Sequence, residues 1–217
     1  MAGSSEYGKL FTILAVKKLF EEGLIRRVLD IGAGSGTYSE LLRGHTPDAE
    51  WHGVEVWEPY LAEYDLHSKY DVIHRADARE LDYGSLIPGG EPGPGFDLTL
   101  CGDVLEHMEK EDAQVLISKL LENSRMILIS IPIIHYPQGE VHGNPYEAHV
   151  KDDWSHEEVI ASFPSIQTFF IHNYIGLYML SAAADLSLPL ARLNAGIGGI
   201  IKAKVPEEHV VAWGAFQ

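Results

Sequence analysis

The sequence predicts an α/β protein with a doubly wound, mostly parallel β-sheet. Two observations support this prediction: apolar, strand-like runs alternate with helix-like segments at least four times, and a glycine-rich turn follows the first of these runs. The chain has 217 residues, of which 46% are hydrophobic, and one domain of this size can bury a full core. We find neither an internal repeat nor a linker that would divide the chain. We therefore expect a single domain over residues 1–217.

The first half of the chain predicts three strands with helices between them. Apolar residues at helical spacing predict a helix over residues 7–22, which Gly23 ends. Residues 37–40 (Thr-Tyr-Ser-Glu) have the form of a capping box, which predicts a short helix that Gly44 stops. Pro59 suits the first turn of a later helix. The strands are expected at residues 26–31, 51–56 and 70–74.

The second half of the chain first continues the alternation of strands and helices and then loses the regular spacing of its apolar residues. A proline- and glycine-rich surface loop is expected at residues 88–95, and a helix at residues 111–122. Residues 132–154 carry several breakers and no clean period, whereas Ser155 begins a second capping box and a helix to about residue 163. Strands are expected at residues 96–101 and 126–131, then at residues 166–171 and 197–205, with residues 175–180 as an open alternative for the seventh strand.

Composition excludes some classes of partner. A formal charge of −16 opposes a phosphate backbone, so we expect no nucleic acid partner. The acidic surface either only keeps the protein soluble or attracts a cationic small substrate, and both interpretations remain open. The single cysteine, Cys101, excludes an internal disulfide, and we find no long apolar run and no secretion signal. We therefore expect a cytoplasmic protein without a membrane partner.

The glycine-rich turn at residues 28–37 (VLDIGAGSGT) narrows the ligand class. Glycines allow the backbone to turn tightly and to approach a ligand closely. A dinucleotide site would place its third glycine at Thr37, but here it is Gly36. Asp30 precedes the first glycine, and its carboxylate would repel a pyrophosphate but suit a cationic ligand. The turn therefore argues against NAD.

This stretch resembles the first motif of the class I S-adenosylmethionine (SAM)-dependent methyltransferases of the small-molecule type, and later motifs extend the resemblance. An acidic residue, Glu55, ends the second strand, where the family binds the ribose hydroxyls of SAM. Asp77 follows the third strand, where the family contacts the adenine. Residues 101–107 (CGDVLEH) are similar to the fourth-strand motif of small-molecule members. The resemblance covers roughly residues 26–163.

The resemblance implies a Rossmann-like fold, a seven-stranded sheet with an antiparallel last strand, and SAM as cofactor. Asp103 suits either contact with SAM or capping of the next helix, and both roles stay open. His107 is expected to pack beside the cofactor without a catalytic role. The residues expected to bind SAM are Asp30, Gly32, Ala33, Gly34, Gly36, Glu55, Val56, Asp77, Ala78, Gly102, Asp103 and His107.

The acceptor is expected to meet residues 132–154. This segment leaves the carboxyl end of a strand, where open α/β sheets bind their ligands. It is rich in titratable and aromatic side chains, which suits a cationic or sugar-like acceptor. The catalytic candidates are His135, Glu147 and His149.

Histidines in and next to this segment raise the hypothesis of a metal-binding site. His135, His142, His149 and His156 fall seven residues apart, but prolines and glycines between them forbid one continuous helix. Some sugar O-methyltransferases of the superfamily use a divalent metal held by carboxylates and histidine. The spacing alone does not support such a site, and we predict no metal ligands.

The predicted activity is therefore methyl transfer from SAM to an amine or hydroxyl of a small molecule, with a cationic aminosugar favoured. A protein or peptide methyltransferase remains possible. A dinucleotide-binding oxidoreductase and a non-catalytic cofactor-binding protein are weaker alternatives. The oligomeric state, monomer or homodimer, stays open.

Overall fold

The computed structural model describes residues 5–87 and 94–216, in which a mixed β-sheet is covered by helices on both faces. The strands are β1 (Arg27–Ile31), β2 (Glu50–Glu55), β3 (Val72–Arg75), β4 (Phe96–Gly102), β5 (Ser124–Pro132), β6 (Ile166–His172), β7 (Ile175–Leu180) and β8 (Val211–Ala215). The helices are α1 (Lys9–Glu21), α2 (Thr37–Leu42), α3 (Glu58–Glu63), α4 (Leu66–Lys69), α5 (Lys110–Asn123), α6 (His156–Ser162) and α7 (Ser187–Lys204).

The strands lie in the order β3-β2-β1-β4-β5-β7-β6-β8. Neighbours from β3 to β5 pair in parallel, whereas β7 pairs antiparallel with both β5 and β6, and β8 pairs antiparallel with β6. Within the described residues the sheet thus has eight strands and not the seven that we predicted. The sheet order reverses between β1 and β4, and a ligand crevice forms at such a switch point beyond the carboxyl ends of the strands.

Two hydrophobic cores lie on opposite faces of the sheet. On one face, α1 and α7 contribute Leu19 and Leu193, which pack with Phe170 of β6. On the other face, Leu116 of α5 packs with Trp154, which is 1% exposed. Covering both faces explains why β5 is buried along nearly its whole length.

The predictions for the first six strands are confirmed within one or two residues at each end. The helix predicted at residues 111–122 is α5, and that at residues 7–22 is α1. Beyond the end of β5 at Pro132, the longest helical or strand element up to residue 154 is a short turn at Pro145–Glu147. Of the loop predicted at residues 88–95, residues 88–93 lie outside the described residues. No helix in the described ranges is long and apolar enough to cross a membrane.

The strand predicted at residues 197–205 is wrong, because residues 197–204 belong to α7 and Val205 is its C-cap. Leu193, Ile197 and Ile201 are buried at helical spacing, while Ile200 is 43% exposed. Gly198 brings the helix close to β8, since a Cβ there would lie 3.0 Å from Cε2 of Trp213. The seventh strand is the open alternative at residues 175–180, and β8 was not predicted.

The two predicted capping boxes have different outcomes. Ser155 caps α6 as expected, because its side chain accepts a hydrogen bond from the backbone N–H of Glu158. Thr37 does not cap α2: the N-cap residue is Gly36, with φ of 80°, and no side-chain bond caps this helix. The Thr37 hydroxyl instead lies 2.9 Å from that of Ser35.

Candidate functional site

A cavity of about 260 Å³ opens at the carboxyl ends of β1, β2 and β4. One part of its wall comes from the glycine turn and the ends of these strands, and another comes from residues 132–154. Its lining includes Gly32, Ala33, Gly34, Glu55, Val56, Asp77, Ala78, Arg79, Gly102, Asp103, Glu106, His107, Tyr136, Gln138, Asn144, Tyr146, Glu147, His149 and Tyr174. Nearly all of the predicted SAM-binding residues therefore meet in one place.

The glycine turn requires backbone conformations that other residues rarely adopt. Gly32 and Gly34 have φ of 68° and 53°, in the left-handed region. A Cβ on Gly34 would find no heavy atom closer than the Gly32 carbonyl oxygen, at 3.7 Å. The space above Gly34 is therefore open, and the backbone there is exposed to any ligand in the cavity.

Glu55 joins the end of β2 to the glycine turn. Its Oε2 accepts a hydrogen bond from the Gly34 N–H at 2.8 Å, and its Oε1 accepts one from the Trp57 N–H at 2.7 Å. Burial raises the pKa of this carboxyl above its ordinary value. The two backbone bonds hold the carboxylate at the cavity wall and at the same time hold the turn.

Asp77 and Asp103 lie at the ends of β3 and β4. Asp77 binds Arg79, with 2.6 Å between Oδ2 and Nη2, and this guanidinium lowers the pKa of the Asp77 carboxyl. Asp103 has φ of 55°, and its N–H donates to the Ser130 carbonyl at 2.8 Å. Val104, and not Asp103, is the N-cap residue of the short turn that follows.

That turn, Leu105–His107, places two ionisable side chains in the wall. Glu106 is 2% exposed, and burial together with the Asp103 carboxylate raises the pKa of its carboxyl well above the ordinary value. Burial lowers the pKa of His107 to about 4. The ring of His107 lies against His149, with 4.9 Å between centroids.

Residues 132–154 are held to the rest of the site by their backbone. The Glu106 carbonyl accepts hydrogen bonds from the N–H groups of Val150 and Lys151, at 2.8 and 3.0 Å. Tyr60 of α3 donates from its hydroxyl to Oε1 of Glu147 at 3.2 Å. Burial raises the pKa of the Glu147 carboxyl. With these contacts in place, Glu147 and His149 both line the cavity.

Three predicted site residues lie outside the cavity lining. His135 is mostly exposed and faces Asp152, with 3.5 Å between its Nδ1 and Oδ1. At Gly36, a Cβ would lie 2.5 Å from Cδ of Lys69. A glycine at this position therefore allows the turn to pack closely against α4. Asp30 lies fully buried within β1, where its Oδ2 accepts a hydrogen bond from the Tyr70 hydroxyl.

The placement of Asp30 predicts a pH-dependent stability. Burial raises the pKa of its carboxyl to about 7, above the ordinary value of 3.8. Because the folded pKa is the higher one, the stability contributed by Asp30 is fully present below pH 4 and is lost as pH rises through 7. The melting temperature of the wild type minus that of Asp30→Asn should therefore fall from pH 5 to pH 8, by the equivalent of about 2–3 kcal/mol. A difference that stays constant with pH would contradict this placement of the carboxyl group.

Several lining residues are not indicated by the sequence motifs. Glu106 stood inside a quoted motif without a role, and Arg79 follows the predicted adenine contact directly. Tyr174, from the turn between β6 and β7, could not be found from any motif because residues 163–217 carry none.

Fold and cavity together define an α/β domain with a cavity at the glycine turn after β1. Residues 29–124 match the family model described as a methyltransferase domain. The chain therefore carries a class I SAM-dependent methyltransferase domain. No protein with a curated description matches the sequence.

Solved structures with the same fold include a domain with bound S-adenosylhomocysteine and two methyltransferases. The N-terminal domain of EvdMO1 with bound S-adenosylhomocysteine (SAH) has a TM-score of 0.58 and 18% identity, over 83% of each chain. CalS10, an amino pentose methyltransferase from Micromonospora echinaspora, has a TM-score of 0.56 and 14% identity, over 82% of this chain and 92% of that one. A SAM-dependent methyltransferase from Clostridium acetobutylicum has a TM-score of 0.56 and 12% identity, with the same coverage.

Proposed function

We propose that this enzyme transfers the methyl group of SAM to a hydroxyl or amine of a small, polar, non-anionic molecule such as a sugar. The observation that carries the proposal is that one cavity contains both the glycine turn with Glu55 and the side chains of Glu147 and His149. One ligand can therefore lie against the turn while a second lies against residues 132–154.

The cofactor half of the cavity fits SAM. The open space above Gly34 allows a ligand to approach the backbone, and Glu55 offers a fixed carboxylate to ribose hydroxyls. Asp77 and Ala78 would lie beside the adenine, and Asp103 would lie near the amino acid portion. When bound, SAM supplies an activated methyl group on a sulfonium sulfur, so that the main task of the chain is positioning.

The acceptor half supplies a group that can take a proton. A hydroxyl or a protonated amine must lose a proton to accept a methyl group. Glu147 is suited to receive it, because the Tyr60 hydroxyl orients its carboxylate and its backbone carbonyl accepts a bond from Nε2 of Gln138 at 2.7 Å. Because both the side chain and the main chain of Glu147 are held by hydrogen bonds, its carboxylate is fixed in one position.

The charge of the lining supports a neutral or cationic acceptor. Its carboxyl groups belong to Glu55, Asp77, Asp103, Glu106 and Glu147. Among the lining residues in the described ranges, Arg79 alone has a lysine or arginine side chain, and it is paired with Asp77 and Asp112. An anionic acceptor would find no available basic partner there. The amino pentose on which CalS10 acts, and the D-fucose present with another EvdMO1 structure, belong to the acceptor class proposed.

A single substitution tests the acceptor half. Glu147→Gln keeps the size of the side chain but removes its basicity, so kcat/KM for the methylated acceptor should fall about 100-fold or more. The dissociation constant of SAH should stay within a factor of three. Asp153→Asn is the matched control, because Asp153 is exposed and pairs with Lys151 outside the cavity. Loss of activity in the control, or wild-type kinetics for Glu147→Gln, would contradict the role of Glu147.

The acceptor class is tested by incubating the enzyme with SAM and a panel of sugars, aminosugars, phenols, aliphatic amines, carboxylates and a peptide library. A mass increase of one methyl group on a sugar, an amine or a phenol supports the proposal. Methylation confined to carboxylates or peptides would overturn it.

A further inference from the structure

We propose that Glu106, His107 and His149 form a binding site for a divalent transition-metal ion in the wall of the cavity. Each of the three side chains offers one ligand atom, and these atoms all lie within 4.8 Å of one another. They come from two separate segments, the turn after β4 and residues 132–154, so that no sequence spacing reveals them. One carboxylate and two imidazoles form a donor set taken by Zn²⁺, Mn²⁺, Fe²⁺ and Co²⁺.

The hydrogen bonds of the two histidines are those of metal ligands. Nδ1 of His107 lies 3.2 Å from the Ala148 carbonyl, and Nδ1 of His149 lies 2.5 Å from the Tyr136 carbonyl. A carbonyl oxygen only accepts, so each contact is a hydrogen bond in the tautomer that carries the proton on Nδ1, and in that tautomer Nε2 keeps its lone pair. In metalloproteins a ligating histidine commonly donates its other N–H to a backbone carbonyl in this way. Both rings are thus oriented by the main chain and not by each other.

Glu106 supplies an independent observation. Its side chain is 2% exposed, and Oε2 has no hydrogen-bond partner among the described residues. Burying a carboxylate oxygen without a partner is costly, and a bound cation would offset that cost. The carboxyl groups of Asp103 and Glu147 also line this cavity, and the lining cation Arg79 is already paired with Asp77. The local charge balance therefore lacks a positive group.

The main chain holds the two segments together at this point. The Glu106 carbonyl accepts hydrogen bonds from Val150 and Lys151, the two residues that follow His149. The carboxylate and the second imidazole are therefore brought together by backbone bonds that need no ion. A site arranged in advance loses little conformational entropy when it binds a metal.

Three protein ligands leave coordination positions open to water or to a substrate oxygen. The ion would then hold a hydroxyl of the acceptor and lower its pKa. This use of the ion rests on the function proposed above, whereas binding of the ion itself does not.

The test is metal binding by the whole protein after dialysis against a chelator. Calorimetric titration with ZnCl₂, MnCl₂ and MgCl₂ should show one site, with micromolar or tighter affinity for Zn²⁺ or Mn²⁺ and weaker affinity for Mg²⁺. Co²⁺ should give the visible absorption of an ion bound by nitrogen ligands. Bound Zn²⁺ should also raise the melting temperature, because it binds only the folded state.

Variants locate the site. Glu106→Gln and His149→Ala should each weaken the affinity for Zn²⁺ at least 30-fold, whereas His67→Ala, on the exposed surface of α4, should bind as the wild type does. Circular dichroism reports whether each variant is folded, and His149→Ala decides the result if the buried Glu106→Gln does not fold. Absence of binding by the wild type, or unchanged affinity in both ligand variants, would overturn the proposal. A metal-binding protein that methylates no member of the panel would leave this site standing and contradict only the proposed function.

Discussion

Gly34→Leu is expected to abolish SAH binding, with a loss in affinity of at least 100-fold, and to leave the protein folded. Gly34 lines the cavity, and a Cβ there would meet only the Gly32 carbonyl oxygen, at 3.7 Å, so we expect a leucine side chain to occupy the space that we assign to the cofactor. The left-handed backbone there, with φ of 53°, adds strain of about 1–2 kcal/mol for a residue with a Cβ. This strain lowers the melting temperature by about 2–4 °C per kcal/mol in a chain of this size.

The variant Gly23→Leu is the control that separates the effect of backbone strain from the effect of filling the cavity. Gly23 has φ of 74° and ends α1, and a Cβ there would meet no heavy atom within 4 Å. The two variants should lose similar stability, and only Gly34→Leu should lose SAH binding in isothermal calorimetry. If Gly23→Leu weakened binding equally, the effect would come from global destabilisation. If Gly34→Leu bound SAH normally, the cofactor would lie elsewhere.

The second large effect is expected for Glu55→Ala, which should weaken the binding of SAH. Its carboxylate accepts bonds from the N–H groups of Gly34 and Trp57, and by our proposal it also accepts bonds from the ribose hydroxyls. A lost charged acceptor costs about 1.5–3 kcal/mol, which corresponds to a dissociation constant for SAH about 10 to 150 times higher. Glu55→Gln should lie between the alanine variant and the wild type, because one oxygen remains to accept a bond.

Glu58→Ala is the control for this measurement. Glu58 lies three residues away on the exposed side of α3 and pairs with Arg75 at 3.1 Å. It should bind SAH with the wild-type constant. A wild-type constant for Glu55→Ala would show that the ribose lies against other groups, and the assignment of Glu55 would be wrong.

Local patterns in the sequence were sufficient for the first six strands and for the glycine turn. The spacing of apolar residues along a short stretch of sequence is enough to predict a strand or a helix. It predicts correctly where each element buries its own apolar face. The placement of Glu55, Asp77 and Asp103 at one cavity was predictable for a related reason. Each follows a parallel strand, and the carboxyl ends of such strands meet at one edge of the sheet.

The end of the chain was harder to predict. The isoleucines and glycines at residues 196–201 suggested a strand by composition, yet Ile197 and Ile201 are buried on one face of α7. Their burial depends on the strands that α7 packs against. Asn194 donates from Nδ2 to the carbonyls of Phe169 and Gly214, so that this helix also ties β6 to β8. None of these contacts is local in sequence.

The sequence by itself determined the fold class, the glycine turn and the cofactor. Only the tertiary structure decided which side chains share the site. Asp30 shares its sheet face with Val28, so strand alternation buries it beside Tyr70 and away from the cavity. His149, and not His135, reaches the cavity because backbone bonds to Glu106 hold its end of the segment. The meeting of Glu106 with His149 arises from hydrogen bonds between residues more than 40 positions apart, which no pattern of neighbouring residues records.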